Sequence, residues 1–185
     1  MPPTKCRWAA VALLACVLPA AAGALAPPSD VRAKITGAFA AIKSYRLTVL
    51  GSVRSLGVWQ APNRYEMTTE FAGKTVKTII IGKTLWEYDD GKWEKSGTAS
   101  NNLDVDVAGL MRTLRSDPSA TLVKLPDQIQ DGKRVGTFQY TFKDGTEETC
   151  NYDLHTYLVT RCKTEDLTLL YSGYNDPSIK VPTPK

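Results

Sequence analysis

The sequence predicts an α+β fold, an antiparallel β-sheet with one apolar face on which two amphipathic helices lie. Three observations lead there. Between Ser44 and Trp93, five short runs rich in Val, Ile, Thr, Tyr and Trp are separated by turn signals, the spacing of an antiparallel meander. In the clearest of them, Tyr65, Met67, Thr69 and Phe71 alternate with Glu66, Thr68 and Glu70. A strand changes sides at every residue, so this sheet has one apolar and one wet face. Finally, two stretches outside these runs carry apolar residues at helical spacing, and the sheet is the large partner their stripes can bury against.

The N-terminus is set apart first. Lys5 and Arg7 precede an apolar run from Trp8 to Leu18 and small residues from Ala20 to Ala26, the layout of a secretory signal peptide. Residues 1–24 are assigned to it, with cleavage after Ala24 or Ala22, and the mature protein is expected in the periplasm. Leu13-Leu14-Ala15-Cys16 is a loose lipobox, which would instead leave Cys16 acylated. The apolar run continues past Cys16 to Leu18 and favours ordinary cleavage. Loss of Lys5 and Arg7 leaves 21 basic residues against 19 acidic ones and lowers the formal charge from +4 to +2. That is no nucleic-acid footprint, which would gather Lys and Arg on one face. No other apolar run approaches the length of a membrane span.

A first helix is expected from Ser29 or Asp30, either of which can cap it, through Val31, Ile35, Ala38, Phe39 and Ile42 to about Ser44. The strands follow as Tyr45–Arg54, Gly57–Gln60, Arg64–Phe71, Thr75–Ile81 and Thr84–Tyr88 leading to Trp93. Their turns are Leu56-Gly57, Ala61-Pro62-Asn63, Ala72-Gly73-Lys74, Gly82-Lys83 and Asp89-Asp90-Gly91. A polar loop over 96–102 leads to a second helix capped by Asp104 or Asp106. Its stripe is Val107, Leu110, Met111 and Leu114, with Arg112 and Arg115 in the last turn, where positive charge suits the helix dipole. Pro118 ends it. This short helix is expected to plug the apolar face. Further strands are Ala120–Leu125, Gly136–Lys143, Thr146–Asp153, Leu158–Thr164 and Leu167–Tyr174. The domain is taken as residues 29–174, and 175–185 as a loose tail, marked by Pro177, Pro182 and Pro184.

After export two cysteines remain, Cys150 and Cys162, an even count in an oxidising compartment that predicts a disulfide. Facing one another across a hairpin, they would place Tyr152 opposite Thr160 and leave His155-Thr156-Tyr157 as a three-residue turn. They lack the Cys-x-x-Cys spacing of a redox pair. Catalytic chemistry is thin. His155 is the one histidine and falls on that turn, and no Gly-x-Ser-x-Gly elbow presents a serine to it. One histidine and two bridged cysteines build no zinc site. Glu147 and Glu148 are adjacent on a strand and point to opposite faces, so they share no proton. We therefore expect no enzyme, no cofactor and no metal.

What remains is apolar surface. Trp59, Tyr65, Met67, Phe71, Trp86, Trp93, Phe138, Tyr140 and Phe142 exceed what a thin sheet needs to hold one short helix. Core packing is the commoner fate of any single one of them. Together with Leu110, Met111 and Leu114 of the second helix, all but Trp93 are the candidate walls of a hydrophobic ligand cavity.

The order of elements resembles the superfamily of periplasmic lipoprotein carriers (LolA/LolB-like), which includes mycobacterial lipid-binding lipoproteins and a periplasmic sensor of envelope stress. The resemblance runs from about Ser29 to Tyr174. It rests on a helix entering SYRLTV, on VWQAPNRYEMTTEFAGKTVKTIIIGKTLWEYDDGKWEKS, and on CNYDLHTYLVTRC with its D-x-x-T-x-L-x-x-R hairpin. It implies an unclosed, strongly curved antiparallel half-barrel with helices lidding its concave apolar face. It also implies a monomeric binder of a lipid or a lipoprotein acyl chain, or alternatively a sensor with a self-filled barrel and an envelope protein partner. Carriers of this superfamily latch the lid with a buried arginine, for which Arg46, Arg54 and Arg64 are the candidates.

Overall fold

The computed structural model describes residues 28–99, 107–117, 120–142 and 145–185. Helix α1 (Pro28–Ala40) is followed by six strands, β1 (Ser44–Leu50), β2 (Arg54–Gln60), β3 (Arg64–Phe71), β4 (Lys74–Ile81), β5 (Thr84–Asp89) and β6 (Lys92–Thr98). Helix α2 (Val107–Ser116) then leads to β7 (Thr121–Gln130), β8 (Lys133–Thr141), β9 (Glu147–Tyr152), β10 (Val159–Lys163) and β11 (Thr168–Ser172). The proposed caps Asp104 and Asp106, and the end of the polar loop, lie outside the described residues.

The strands form one eleven-stranded antiparallel sheet in the order β6-β5-β4-β3-β2-β1-β11-β10-β9-β8-β7. Two meanders are joined by the pairing of β1 with β11, Leu47 opposite Tyr171. Strands β6 and β7 are the edges, and no pairing joins them among the described residues. The architecture is the expected α+β half-barrel, left unclosed. Several hairpins turn on two residues with positive φ, Asp90-Gly91 and Asp131-Gly132 among them. That conformation matches the right-handed strand twist, and glycine enters it without a Cβ clash.

The register separates two faces. Tyr45, Trp59, Tyr65 and Ile80 stand side by side across β1–β4, as do Leu47, Gly57, Met67 and Thr78. This inner face continues through Leu169, Cys162, Cys150 and Phe138 on the other meander. Both helices lie on it: Phe39 of α1 packs its ring 6.1 Å from Tyr45 and from Trp59. The backbone N–H of Val107, at the start of α2, donates to the Tyr171 hydroxyl at 3.1 Å. Val31, Ile35 and Phe39 of α1, Ile42 just beyond its end, and Val107, Leu110, Met111 and Leu114 of α2 are buried in one core with these strands, as their spacing predicts.

Several expectations need correction. The first turn is at Gly51-Ser52-Val53, not Leu56-Gly57. Gly57 instead lies within β2, where a Cβ would come within 3.0 Å of Met67 Cγ, so the glycine admits Met67 rather than a turn. Ser96–Thr98 belong to β6 and not to a loop. Strand β7 runs on through Pro126 to Gln130, with a bulge between Leu125 and Gln128. As an edge strand it tolerates a residue with no N–H to donate.

The tail is not loose. Asn175 N–H donates to the Ser44 carbonyl, and Arg46 Nη2 meets Asp176 Oδ2 at 3.0 Å and Ser178 Oγ at 3.0 Å. Arg64 Nη2 donates to the Val181 carbonyl and Gln60 Oε1 accepts from Val181 N–H. Ile179 and Val181 are buried. Because Ser44, Arg46, Gln60 and Arg64 share the outer face, the last residues form a strap across it.

Candidate functional site

The disulfide joins β9 to β10 with Cys150 directly opposite Cys162 and Cα atoms 4.1 Å apart. The hairpin differs in detail from the expectation, since a bulge between Val159 and Arg161 sets Tyr152 opposite Val159, not Thr160. The turn is organised by Asp153. Its Oδ1 accepts the backbone N–H groups of His155 (2.9 Å) and Thr156 (2.8 Å), and these bonds hold its carboxyl below the usual carboxylate range. His155 is exposed on this turn. Glu148 is buried beside Tyr140 while Glu147 is exposed, so the adjacent carboxylates do face apart. Glu148 lies near both sulfurs, but these are bonded to each other and supply no thiolate to a metal.

The apolar candidates fall into three groups. Trp59, Tyr65, Leu110, Met111, Leu114, Phe138 and Tyr140 are brought together in the buried core, with Phe142 half-buried and edge-on to Tyr140 at 4.7 Å. Burial beside Asp117 and Glu148 pushes the Tyr140 hydroxyl pKa up, and burial beside Asp127 pushes that of Tyr152 up to about 12. The second group, Met67 and Phe71, lies further along the inner face of β3. There Met67 is half-buried and Phe71 is 62% exposed, next to Val76 of β4 at 42%. Trp86 forms the third group alone and is a correction. It pairs with Ile79, which pairs with Glu66, so it lies on the outer face. Counting alternation from a strand's first residue does not carry across a hairpin; only the register fixes which parity points in.

The helices thus cover the inner face unevenly. Over β1 and β8–β11 they seal it. Over the outer ends of β3 and β4 a strip of Met67, Phe71 and Val76 continues the same apolar surface into solvent.

The helices are tied to one another by Arg32 of α1. Its Nε donates to the Leu114 carbonyl at 3.1 Å, Nη1 to Ala120 O at 3.0 Å, and Nη2 to Asp117 O at 2.8 Å and to Leu114 O. These are carbonyls at and just beyond the C-terminus of α2, where helix ends leave acceptors free and favour a cation. Arg115 of α2 answers with a 2.6 Å bond to the Thr36 carbonyl. Arg46 and Arg64 bind the strap on the outer face, and Arg54 shares that face, so none of the three candidates reaches the lid. Arg32 escaped notice because nothing in its local sequence distinguishes it from any exposed helical arginine.

No protein family's sequence profile matches the chain, and no curated protein is similar to it. Solved structures do share its fold. The lipoprotein LppX of Mycobacterium tuberculosis aligns over 84% of this chain and 100% of its own, with a TM-score of 0.60 and 14% identity. LprF of Mycobacterium bovis aligns over 85% of this chain and 98% of its own, with a TM-score of 0.58 and 12% identity. The fold that the chain shares with them is the unclosed antiparallel half-barrel.

Proposed function

We propose that the protein is an exported, non-enzymatic binder of a hydrophobic ligand, a lipid or lipoprotein acyl chain held against the inner face of the half-barrel. The observation that carries this reading is the strip of half-buried Met67 and exposed Phe71 and Val76, which, with Thr69 between Met67 and Phe71, continues along the inner face to the aromatic core under the helices. Apolar area leaving water would drive binding at about 25 cal/mol per Å². Deeper entry would require α2 to lift, carrying Leu110, Met111 and Leu114 away from the core that holds Phe138 and Tyr140, with Phe142 packed against it. Arg32 is the latch in this reading, since its bonds end on main-chain carbonyls that water can satisfy once the helix moves. The cysteine bridge fits an oxidising compartment, in keeping with a signal peptide at residues 1–24 and a monomeric domain over 29–174. The domain's likeness in fold to the lipoprotein LppX accords with a lipid-linked role.

The test is uptake of a fluorescent fatty-acyl probe by the wild type and by Phe71→Asp. Phe71 is exposed, so the variant should fold normally and lose probe affinity by about tenfold or more. Unchanged uptake would remove the strip from the site. A second reading is favoured by the depth to which α2 is buried, with Val107, Leu110, Met111 and Leu114 each at 0–1% exposure. In it the barrel is filled by its own helix and the surface binds an envelope protein. Native mass spectrometry of protein released gently from the envelope separates the two, by bound lipid or by an empty chain with a stable protein partner.

A further inference from the structure

We infer that Trp59 fixes the polar end of the ligand, its indole N–H donating to the carbonyl of a neutral acyl ester, so that the site prefers acyl esters to plain alkyl chains and to free fatty-acid anions. This rests on the lipid-binding reading above and names the ligand class within it.

Trp59 is 6% exposed, yet its Nε1 is fully buried with no hydrogen-bond acceptor among the described residues. Buried donors are nearly always bonded, and leaving one unmade carries its full desolvation cost. Neighbouring rings do not take the hydrogen. An indole N–H lies in the ring plane, so a ring that accepts it on its face must stand close to perpendicular. Tyr45 is instead stacked on Trp59, 5.0 Å away at 20°, and Phe39 is tilted by 36° at 6.1 Å. The donor is therefore an unanswered polar group within an aromatic cluster, the pairing of apolar wall and isolated polar atom that orients ligands in pockets.

Its place in the sheet gives the rest of the ligand. Trp59 stands opposite Tyr65, and from Tyr65 the inner face of β3 runs through Met67 and Thr69 to Phe71. The six steps of strand from Tyr65 to Phe71 span about 20 Å, close to the length of an extended sixteen-carbon chain. A carbonyl at Trp59 would leave the chain lying along that strip. The charge pattern selects among acyl groups. Of the inner-face positions of β1–β4, Lys74 alone carries a charge, and it pairs with Phe71 at the far, exposed end. Arg46, Arg54 and Arg64 all face the other side, and Arg32 is committed to α2. A carboxylate at Trp59 would be buried with no counter-ion, whereas an ester carbonyl needs one donor only.

The experiment measures affinities of wild type and Trp59→Phe for three ligands of matched chain length: methyl palmitate, 1-methoxyhexadecane and palmitate. We expect the wild type to prefer the ester to the ether by on the order of tenfold, and Trp59→Phe to bring that ratio close to one. An equal ratio in the wild type, or a preference that survives in the variant, overturns the assignment to Trp59. Tighter binding of palmitate than of its ester overturns the neutral class and points to Lys74. Failure of the wild type to bind any of the three overturns the lipid-binding reading itself. A readout that needs no variant is the infrared carbonyl stretch of carbonyl-13C-labelled methyl palmitate bound to the wild type. It should lie below its position in hexane; an unshifted band overturns the hydrogen bond.

Discussion

The inner face of the sheet is covered by two helices and the outer face by an irregular strap, and the two covers are held by different forces. On the inner side Val31, Ile35, Phe39, Leu110, Met111 and Leu114 are buried against strand side chains, and Arg32 adds bonds between the helices. Of the strap on the outer side, two apolar residues, Ile179 and Val181, are buried. The rest of the strap is held by hydrogen bonds donated by Lys43 N–H, Arg46 and Arg64 and one accepted by Gln60 Oε1, those of Lys43 and Arg46 in solvent. Apolar burial scales with area, whereas exposed hydrogen bonds and ion pairs contribute little net stability. The inner cover is thus part of the folding unit, and the outer cover is an addition to it.

The largest effect should come from breaking the inner side. Phe138 is fully buried, and Phe138→Ala should lower unfolding free energy by about 3–5 kcal/mol. Removing residues 177–185 should cost less than half as much, both read from urea denaturation. An equal loss would mean that the strap belongs to the core. Next comes Gly136, which lies under the ring of Tyr152, where a Cβ would come within 2.1 Å of Cζ. Tyr152 is itself stacked on Tyr157 at 5.7 Å and cannot withdraw cheaply. Gly136→Ala should destabilise by about 2–3 kcal/mol in the same assay.

Third is Arg32→Ala, which removes the guanidinium bonds to the carbonyls of Leu114, Asp117 and Ala120 and leaves Asp117 with the Ala120 N–H. A bond from a charged donor is worth about 1.5–3 kcal/mol, so amides of α2 should exchange with solvent at least tenfold faster. Amides of β8 and β9 should keep their wild-type protection. If they too lose it, Arg32 holds the fold together and does not merely fasten the lid.

The two faces also differ in how far they could be read beforehand. The inner face was largely legible, because helical spacing in Val107, Leu110, Met111 and Leu114 and alternation in Phe138, Tyr140 and Phe142 record burial directly. The Cys150–Cys162 bridge followed from compartment and count. Turns with positive φ at Ala72-Gly73 and Asp90-Gly91 were legible for a similar reason, as the backbone there demands particular residues. The outer cover was not. The strap has neither period nor propensity, and its prolines read as disorder because its bonds are made to residues more than 110 positions away. Trp86 was misplaced because its face depends on the register of β4 with β5. Arg32 acts through tertiary contact alone, which leaves no local trace.

The smallest expected effect belongs to the strap's one ion pair with a displaced titration. Hydrogen bonds from Ser178, with Arg46 adding a bond and its charge, hold Asp176 down to about 2, against an ordinary aspartate value of 3.8. A carboxyl whose pKa is lowered on folding contributes fully above its unfolded value and loses that contribution as pH falls through the folded one. The strap's anchorage at Asp176 should therefore be intact at pH 5, weaken below about pH 4, and be lost near pH 2. Hydrogen exchange at Ser178, followed between pH 5 and pH 2 and corrected for intrinsic rates, should report this as a local opening while β8 amides stay protected. Asp176→Asn cannot titrate, so its corrected exchange at Ser178 should be flat across that range. If the variant shows the same acid-dependent opening, other carboxylates release the strap. The contrast between the covers would then rest on apolar contacts at Ile179 and Val181 rather than on charge.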